Sequence, residues 1–423
     1  MFLTTPRVFY HGRALPVTLP PHWRLLAAAE PRDAPALPDP ATAVREIVAH
    51  PLGMPPLAEV VSGLAKQRTV IISEDLERPT PVHRLLPPLL AELKRLGIAD
   101  AAIDVIIGRG THRLPSPAEV AAKLGPEAVA RVRVSVHDPD AADLVELGST
   151  SRGTVVRVNR LVAEAGLIIG IGTANVHYFA GYGGGPKLIL PGVCARSTIR
   201  QNHVWVRDPQ ARAGVTTGNP IWEDMLEASR LARYTLAINA LPNACGEVHR
   251  LFGGEVAAQQ EAWIRVFKDI YGVPVPGLAD VTIACGYPLE MSLIQSGKAV
   301  MMADTVTKPG GAIVLVSACR DGAGPMMYET LRQRPRPEEV IDWIADGRAS
   351  TTGGTMASRV RRMLESKRLL VVTDGLSPEQ LAEMGMEHAP SLEAALAALS
   401  GRGPQEAIIL PVGGSTFPYL VRE

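Results

Sequence analysis

Two periods of apolar and polar positions alternate along this chain. Short runs rich in β-branched residues, at 69–73, 103–108, 132–136, 167–171 and 236–239, are almost continuously apolar. A strand reads this way when both faces are covered, as in a parallel sheet. Helical spacing of apolar residues fills intervals such as 81–96 and 116–124. Alternating strand and helix signals predict βαβ units around a mostly parallel sheet. A second set of runs, at 281–284, 312–317, 369–372 and 408–410, is also separated by helical signals. The stretch 271–276, with two prolines, divides the sets. The expected architecture is α/β: two α/β domains with mostly parallel sheets, residues 1–275 and 276–423, and a ligand cleft between them. Before the first set, residues 7–10 and 16–19 are expected to pair as strands.

Length and composition agree with this layout. A chain of 423 residues exceeds what one hydrophobic core usually supports. With 46% hydrophobic and 20% charged residues it has the balance of a folded globular protein. The 43 basic residues match the 43 acidic ones, so no global charge favours nucleic acid or an anionic membrane. Cys194, Cys245, Cys285 and Cys319 form no CxxC pair, and reduced, mostly buried thiols are expected. The first residues lack the basic start and apolar core of a signal peptide, and no apolar run is long enough for a membrane span. The expected compartment is the cytoplasm.

In open α/β sheets, ligands bind beyond the carboxyl ends of strands. The residues that follow the first set of runs are unusually polar. Asp75 and Arg78 follow the first run, Gly110, Thr111, His112 and Arg113 the second, His137 and Asp138 the third, and Asn175 and His177 the fourth. Prolines at 79 and 81 would fix the first of these loops, where an arginine can grip a carboxylate or phosphate through paired hydrogen bonds. Imidazole suits proton transfer near neutral pH and the binding of nickel, copper or zinc. His112, His177 and His203 share no metal-motif spacing. The run Gly181, Gly183, Gly184, Gly185 before Lys187 reads equally as a phosphate-binding turn or a packing turn. It is neither a Walker A motif nor a dinucleotide fingerprint. Lys187 also has the chemistry of a covalent attachment point. Gln295 and Lys298 would face one way on a helix.

Together these motifs resemble the nickel-dependent lactate racemase family. Its Asp-x-x-Arg-Pro-x-Pro matches Asp75 to Pro81, and its Gly-Thr-His-Arg matches Gly110 to Arg113. Its His-x-x-Ala-Gly-aromatic-x-Gly-Gly-x-Lys, followed by Pro-Gly-Val, matches His177 to Lys187 and Pro191 to Val193. A later histidine matches His203, and Gln-x-x-Lys matches Gln295 and Lys298. The order is unchanged through most of residues 60–300, and the resemblance fades in the last hundred residues.

The resemblance implies a nickel-pincer nucleotide, a nicotinate-derived mononucleotide supplied by cofactor-synthesis proteins. Lys187 would hold it covalently and His203 would ligate nickel. Gly181, Gly184, Gly185 and their neighbours would meet its phosphate, and Asp75 its ribose. His112 and His177 would be the acid–base pair, with Arg78, Gln295 and Lys298 orienting the substrate carboxylate and oxygen. The implied reaction is racemisation or epimerisation of a 2-hydroxy acid. An unactivated α-hydrogen is a poor acid, so it would leave as hydride to the cofactor and return to the opposite face of a keto acid. Two histidines then serve two enantiomers. Departures from the family pattern at Glu77 (usually threonine), Gly183 (often serine), Pro186 and Ile294 point to a 2-hydroxy acid larger or differently polar than lactate. So does the lack of tryptophan in 351–356. The alternatives are an NAD-dependent 2-hydroxy acid dehydrogenase, disfavoured by the missing fingerprint, and a non-catalytic nickel-nucleotide binder, which would need no proton-transfer histidines.

Overall fold

A computed structural model of the chain describes residues 6–28, 30–64, 68–243, 245–324, 326–401 and 403–421. The chain divides into two compact units, Asp33–Ile270 and a discontinuous one made of Met1–Arg32 with Tyr271–Glu423. Each is built on a six-stranded sheet. Strands are numbered along the chain, and β1 (Trp23–Ala28) belongs to the discontinuous unit.

The Asp33–Ile270 unit contains β2 (Thr69–Glu74), β3 (Ile103–Gly108), β4 (Arg133–Val136), β5 (Leu167–Thr173), β6 (Leu236–Pro242) and β7 (Val248–Gly254), in the order β7-β6-β5-β2-β3-β4. Every pairing is parallel except β6 with β7. All six residues of β2 and all seven of β5 are buried. Helix Val82–Arg95 lays Leu85, Leu86, Leu89, Leu90 and Leu93 against Ile71, Val105 and Ile169 of the sheet. Fully burying one leucine side chain stabilises the fold by about 2 kcal/mol, so this one helix face is a major part of the core.

The discontinuous unit contains β8 (Ala279–Cys285), β9 (Thr307–Val316), β10 (Arg368–Val372), β11 (Glu387–Ala389) and β12 (Gln405–Leu410). Its order is β11-β10-β9-β8-β12-β1, and all five pairings are parallel. Here the structure departs from the division expected at residues 1–275, because β1 pairs along β12 at the sheet edge. Its sequence Trp-Arg-Leu-Leu-Ala-Ala has only Trp23 buried, so no apolar run marks it as a strand.

The N-terminal pairing differs too. Arg7–Tyr10 pairs with Arg13–Pro16 rather than with residues 16–19. His11 and Gly12 have φ of 51° and 70°, and two consecutive positive φ values make the tight hairpin turn that sets this register. Cys194, Cys285 and Cys319 are buried free thiols and Cys245 is exposed. Among the described residues, no helix is long and apolar enough to cross a membrane.

Candidate active site

Strand order places a switch point between β2 and β5. The chain leaves β2 to build β3 and β4 on one side, then returns to build β5 on the other. Ligands in open α/β sheets bind in the crevice at that point, beyond the carboxyl ends.

A buried charge organises this end of the sheet. Glu74, the last residue of β2, accepts hydrogen bonds from the Thr173 backbone N–H at 2.6 Å, the Thr173 hydroxyl at 2.8 Å and the Thr80 N–H at 3.2 Å. Lys123 approaches it at 3.4 Å and donates to the carbonyls of Arg78 (2.8 Å) and Thr80 (3.0 Å). Lys123 rides on helix Pro117–Leu124, whose start is fixed by a Ser116–Glu119 capping box. The loop 75–81 is thereby tied to two strands and a helix.

On that loop Asp75 is buried, and its carboxylate accepts from His112 Nδ1. Burial pushes the Asp75 carboxyl up, but the hydrogen bond and charge of His112, then the charge of Arg78, hold it below its ordinary value. A carboxylate can only accept, so Nδ1 carries a proton and Nε2 is the ring nitrogen left to exchange one. Glu77 brings a second carboxylate to 3.7 Å from the same Nδ1. Arg109 pins the His112 loop from below by donating to the carbonyls of His112 and His137. His137 is fully buried beside the Cys194 carbonyl at 2.9 Å, and burial lowers its pKa to about 4.

The glycine run follows β5. Val176–His177 and Gly181–Tyr182 form a short antiparallel pair. His177 Nδ1 accepts from the Ala180 N–H at 3.3 Å, so the neutral ring carries its proton on Nε2, opposite to His112. Gly184 has φ of +63°, and a Cβ there would lie 2.8 Å from the Thr173 carbonyl and would collide with Asn239 Oδ1. Side chains are thus shut out of this turn by both conformation and space. Gly183 also has a local reason: the Asn175 amide occupies the room a side chain would need. Pro186 sits in the first turn of the 3-10 segment Gly185–Leu188, where a missing N–H costs nothing.

Phe179, 3% exposed, gathers the remaining candidates. The His177 ring meets it edge-on at 4.4 Å and the His203 ring at 5.1 Å, while Lys187 Nζ lies 5.5 Å from its centre. His203 ends helix Arg196–His203 and is buried, with no hydrogen-bond partner at Nδ1 among the described residues. Burial, followed by the charge of Lys187, lowers its pKa to about 3. In the other unit, Gln295 and Lys298 lie on helix Leu293–Asp304 with Lys298 Nζ donating to Gln295 Oε1 at 2.7 Å.

The structure therefore brings Asp75 to His112, groups His177, Lys187 and His203 around Phe179, and joins Gln295 to Lys298. Arg78 is half-buried on the Asp75 loop. The sequence reading passed over Glu74, Lys123, Thr173 and Phe179. Phe179 sits inside the His177 to Lys187 motif and Glu74 directly precedes the one that starts at Asp75, whereas nothing local marks Lys123. Among the described residues, no cluster of three or more His, Cys, Asp or Glu could hold a metal by itself.

Comparison with known proteins decides the family. A model of the lactate racemase N-terminal domain matches residues 10–214, and one of the lactate racemase C-terminal domain matches residues 276–415. This chain belongs to the lactate racemase family. It is an isomerase of the racemase class. Lactate racemase of Lactiplantibacillus plantarum is 31% identical over 380 residues, spanning 88% of this chain and 89% of that one. The Thermoanaerobacterium thermosaccharolyticum lactate racemase is 30% identical over 361 residues, 84% of each. A solved structure of lactate racemase apoprotein from that organism superposes with a TM-score of 0.86 at 25% identity, covering 98% of this chain and all of the other. The family match extends through residue 415, well past the point where motifs alone had faded.

Proposed function

We propose that this racemase inverts C2 of a 2-hydroxy acid with a nickel-pincer nucleotide anchored at Lys187. The observation that carries the reading is the grouping of a histidine suited to proton transfer, a lysine and a buried imidazole around Phe179.

The residues present fit the cofactor. A metal ligand must be a neutral imidazole, and burial, followed by the charge of Lys187, favours the neutral form of His203. One protein nitrogen, with no ligand cluster of three or more His, Cys, Asp or Glu among the described residues, suits a metal whose other donors belong to an organic group. Lys187 stands on a turn whose glycines admit close approach, and Gly181, Gly184 and Gly185 would face the phosphate. When bound, the group would supply a hydride acceptor for the C2 hydrogen.

The chain's own residues do the rest. His112 takes the hydroxyl proton of one enantiomer at Nε2, while Asp75 holds the ring in the correct tautomer and stabilises it once charged. That hydrogen bond supports a positioning role for Asp75 rather than contact with the ribose alone. His177 serves the other enantiomer. Arg78, Gln295 and Lys298 orient the carboxylate and oxygen. Glu77 beside His112, where the family usually has threonine, supports a substrate of different polarity from lactate.

Protein made in a host that carries the cofactor-synthesis proteins should show a covalent mass adduct and nickel by elemental analysis. It should invert a panel of enantiopure 2-hydroxy acids, and His112→Ala should keep the adduct while losing turnover. Absence of the adduct, together with oxidation of the same acids by free nicotinamide dinucleotide, would overturn the reading. Best turnover on lactate would overturn the substrate assignment alone.

A further inference from the structure

Asn219 caps the start of helix Pro220–Leu231 and is fully buried. The orientation of its amide follows from its partners. The Ile221 N–H donates to one end at 3.1 Å and the Trp222 N–H at 3.4 Å, so that end is Oδ1. The other end, Nδ2, donates to the Phe179 carbonyl at 2.9 Å and the Val215 carbonyl at 3.0 Å. All the hydrogen-bonding capacity of the amide is used. The helix start needs only the oxygen, which serine or aspartate would supply about as well. The two Nδ2 contacts are what asparagine adds.

One of those contacts leads straight to His177. The Phe179 carbonyl and the Ala180 N–H belong to a single peptide group, which is planar and resists twisting. Asn219 holds that plane at its carbonyl, and the N–H of the same plane donates to His177 Nδ1 at 3.3 Å. A donor at the carbonyl also polarises the peptide and strengthens the bond made by its N–H. The Phe179 ring, on the same segment, meets the His177 ring edge-on at 4.4 Å, so a tilt of this peptide disturbs both contacts of the imidazole. The anchoring segment is itself tied down. The Gly214 N–H donates to the Gly181 carbonyl at 3.0 Å, and the Asn219 N–H donates to the Thr216 carbonyl at 3.0 Å.

We propose that Asn219 is a positioning residue for His177, acting through the peptide between Phe179 and Ala180. With Nδ1 committed to the backbone, proton exchange with substrate falls to Nε2. The proposal rests on the reading of His177 as an acid–base residue and adds to it a side chain outside the motif from His177 to Lys187.

The full chain, labelled with nitrogen-15 at histidine, is followed by long-range proton–nitrogen correlation, which distinguishes the two neutral tautomers. His177→Gln assigns the signal. In the wild type His177 should carry its proton on Nε2, with Nδ1 shifted as a hydrogen-bonded acceptor. Asn219→Ser keeps a capping oxygen but is too short to reach Phe179. Asn219→Asp keeps the size and the cap but sets an acceptor against both carbonyls. In both variants the Nδ1 signal should move toward that of a free imidazole and the tautomer preference should relax. Leu93→Ala, which empties a buried site on helix Val82–Arg95 without touching these contacts, should leave the signal in place. In cofactor-loaded protein both Asn219 variants should lose about tenfold to a hundredfold in kcat, the scale of a small misplacement, with KM little changed. A His177 signal unmoved in both Asn219 variants would overturn the proposal. Equal movement in Leu93→Ala would reduce it to general loosening and overturn it too, as would a signal that moves while kcat holds. Full turnover in loaded His177→Gln would instead bring down the reading of His177 as an acid–base residue.

Discussion

Replacing Lys123 by methionine tests how the candidate site is held. The Lys123 and Glu74 side chains are only 7% and 8% exposed, so water cannot take over when one partner is lost. Methionine preserves most of the apolar stem but leaves Glu74 with three neutral donors and no countercharge. It also strips the ammonium from the Arg78 and Thr80 carbonyls. Breaking a buried pair from one side costs about 3–5 kcal/mol, chiefly through the uncompensated charge. Pairing the change with Glu74→Gln removes that charge, so the double variant should recover about half of the loss. Urea unfolding followed by far-ultraviolet circular dichroism gives the global cost. Hydrogen–deuterium exchange of the peptide spanning 74–82 reports the local one, and protection there should fall most. A cost below about 1 kcal/mol for Lys123→Met with exchange unchanged, or a double variant no more stable than the single one, would show that this pair does not hold the loop.

Three further outcomes are expected. Asp75→Asn, which offers His112 a donor as well as an acceptor, should cut kcat about a hundredfold with little change in KM, and an unaltered kcat would remove Asp75 from the machinery. His137 has its pKa lowered from 6.5 to about 4, so the unfolded chain binds its proton first. Its contribution is complete above pH 6.5 and is lost as pH falls toward 4, by about 3 kcal/mol across that window. His137→Gln should flatten this part of the stability–pH curve measured by urea midpoints. Gly184→Ala forces a side chain into a positive-φ turn against Thr173 and Asn239, and should lower the melting temperature by a destabilisation of about 1–3 kcal/mol and reduce covalent loading by intact mass.

Central strands were readable because they are apolar on both faces. Ile103–Gly108 has the bounds its run suggests, and β2, β5 and β6 differ from theirs by one to three residues at the carboxyl end. Those added residues, Glu74, Thr173 and Pro242 among them, lie where the apolar pattern gives way to polar site residues. Edge elements were hidden for the opposite reason. β1 has one buried residue in six, and the hairpin Val145–Ser149 with Val155–Val158 packs no continuous apolar face. In the candidate site, histidines and glycines advertise themselves because few other residue types do their chemistry. Lys123 and Asn239 act through contacts made by distant segments, and no spacing along the chain announces them.

The parallel pairing of β1 with β12 also bears on how the protein is made. Trp23 is synthesised 382 residues before its partner Gln405. The Asp33–Ile270 unit is continuous and has all its strands as soon as Gly254 has appeared. Nascent chains fold domain by domain from the N-terminus, so this unit is complete while β1 still waits. The edge of β12 stays uncapped until that early segment is recaptured. Assembly of the second sheet is therefore the slow, long-range closure in biogenesis, and the exposed backbone of β12 is the place where premature association between chains would begin.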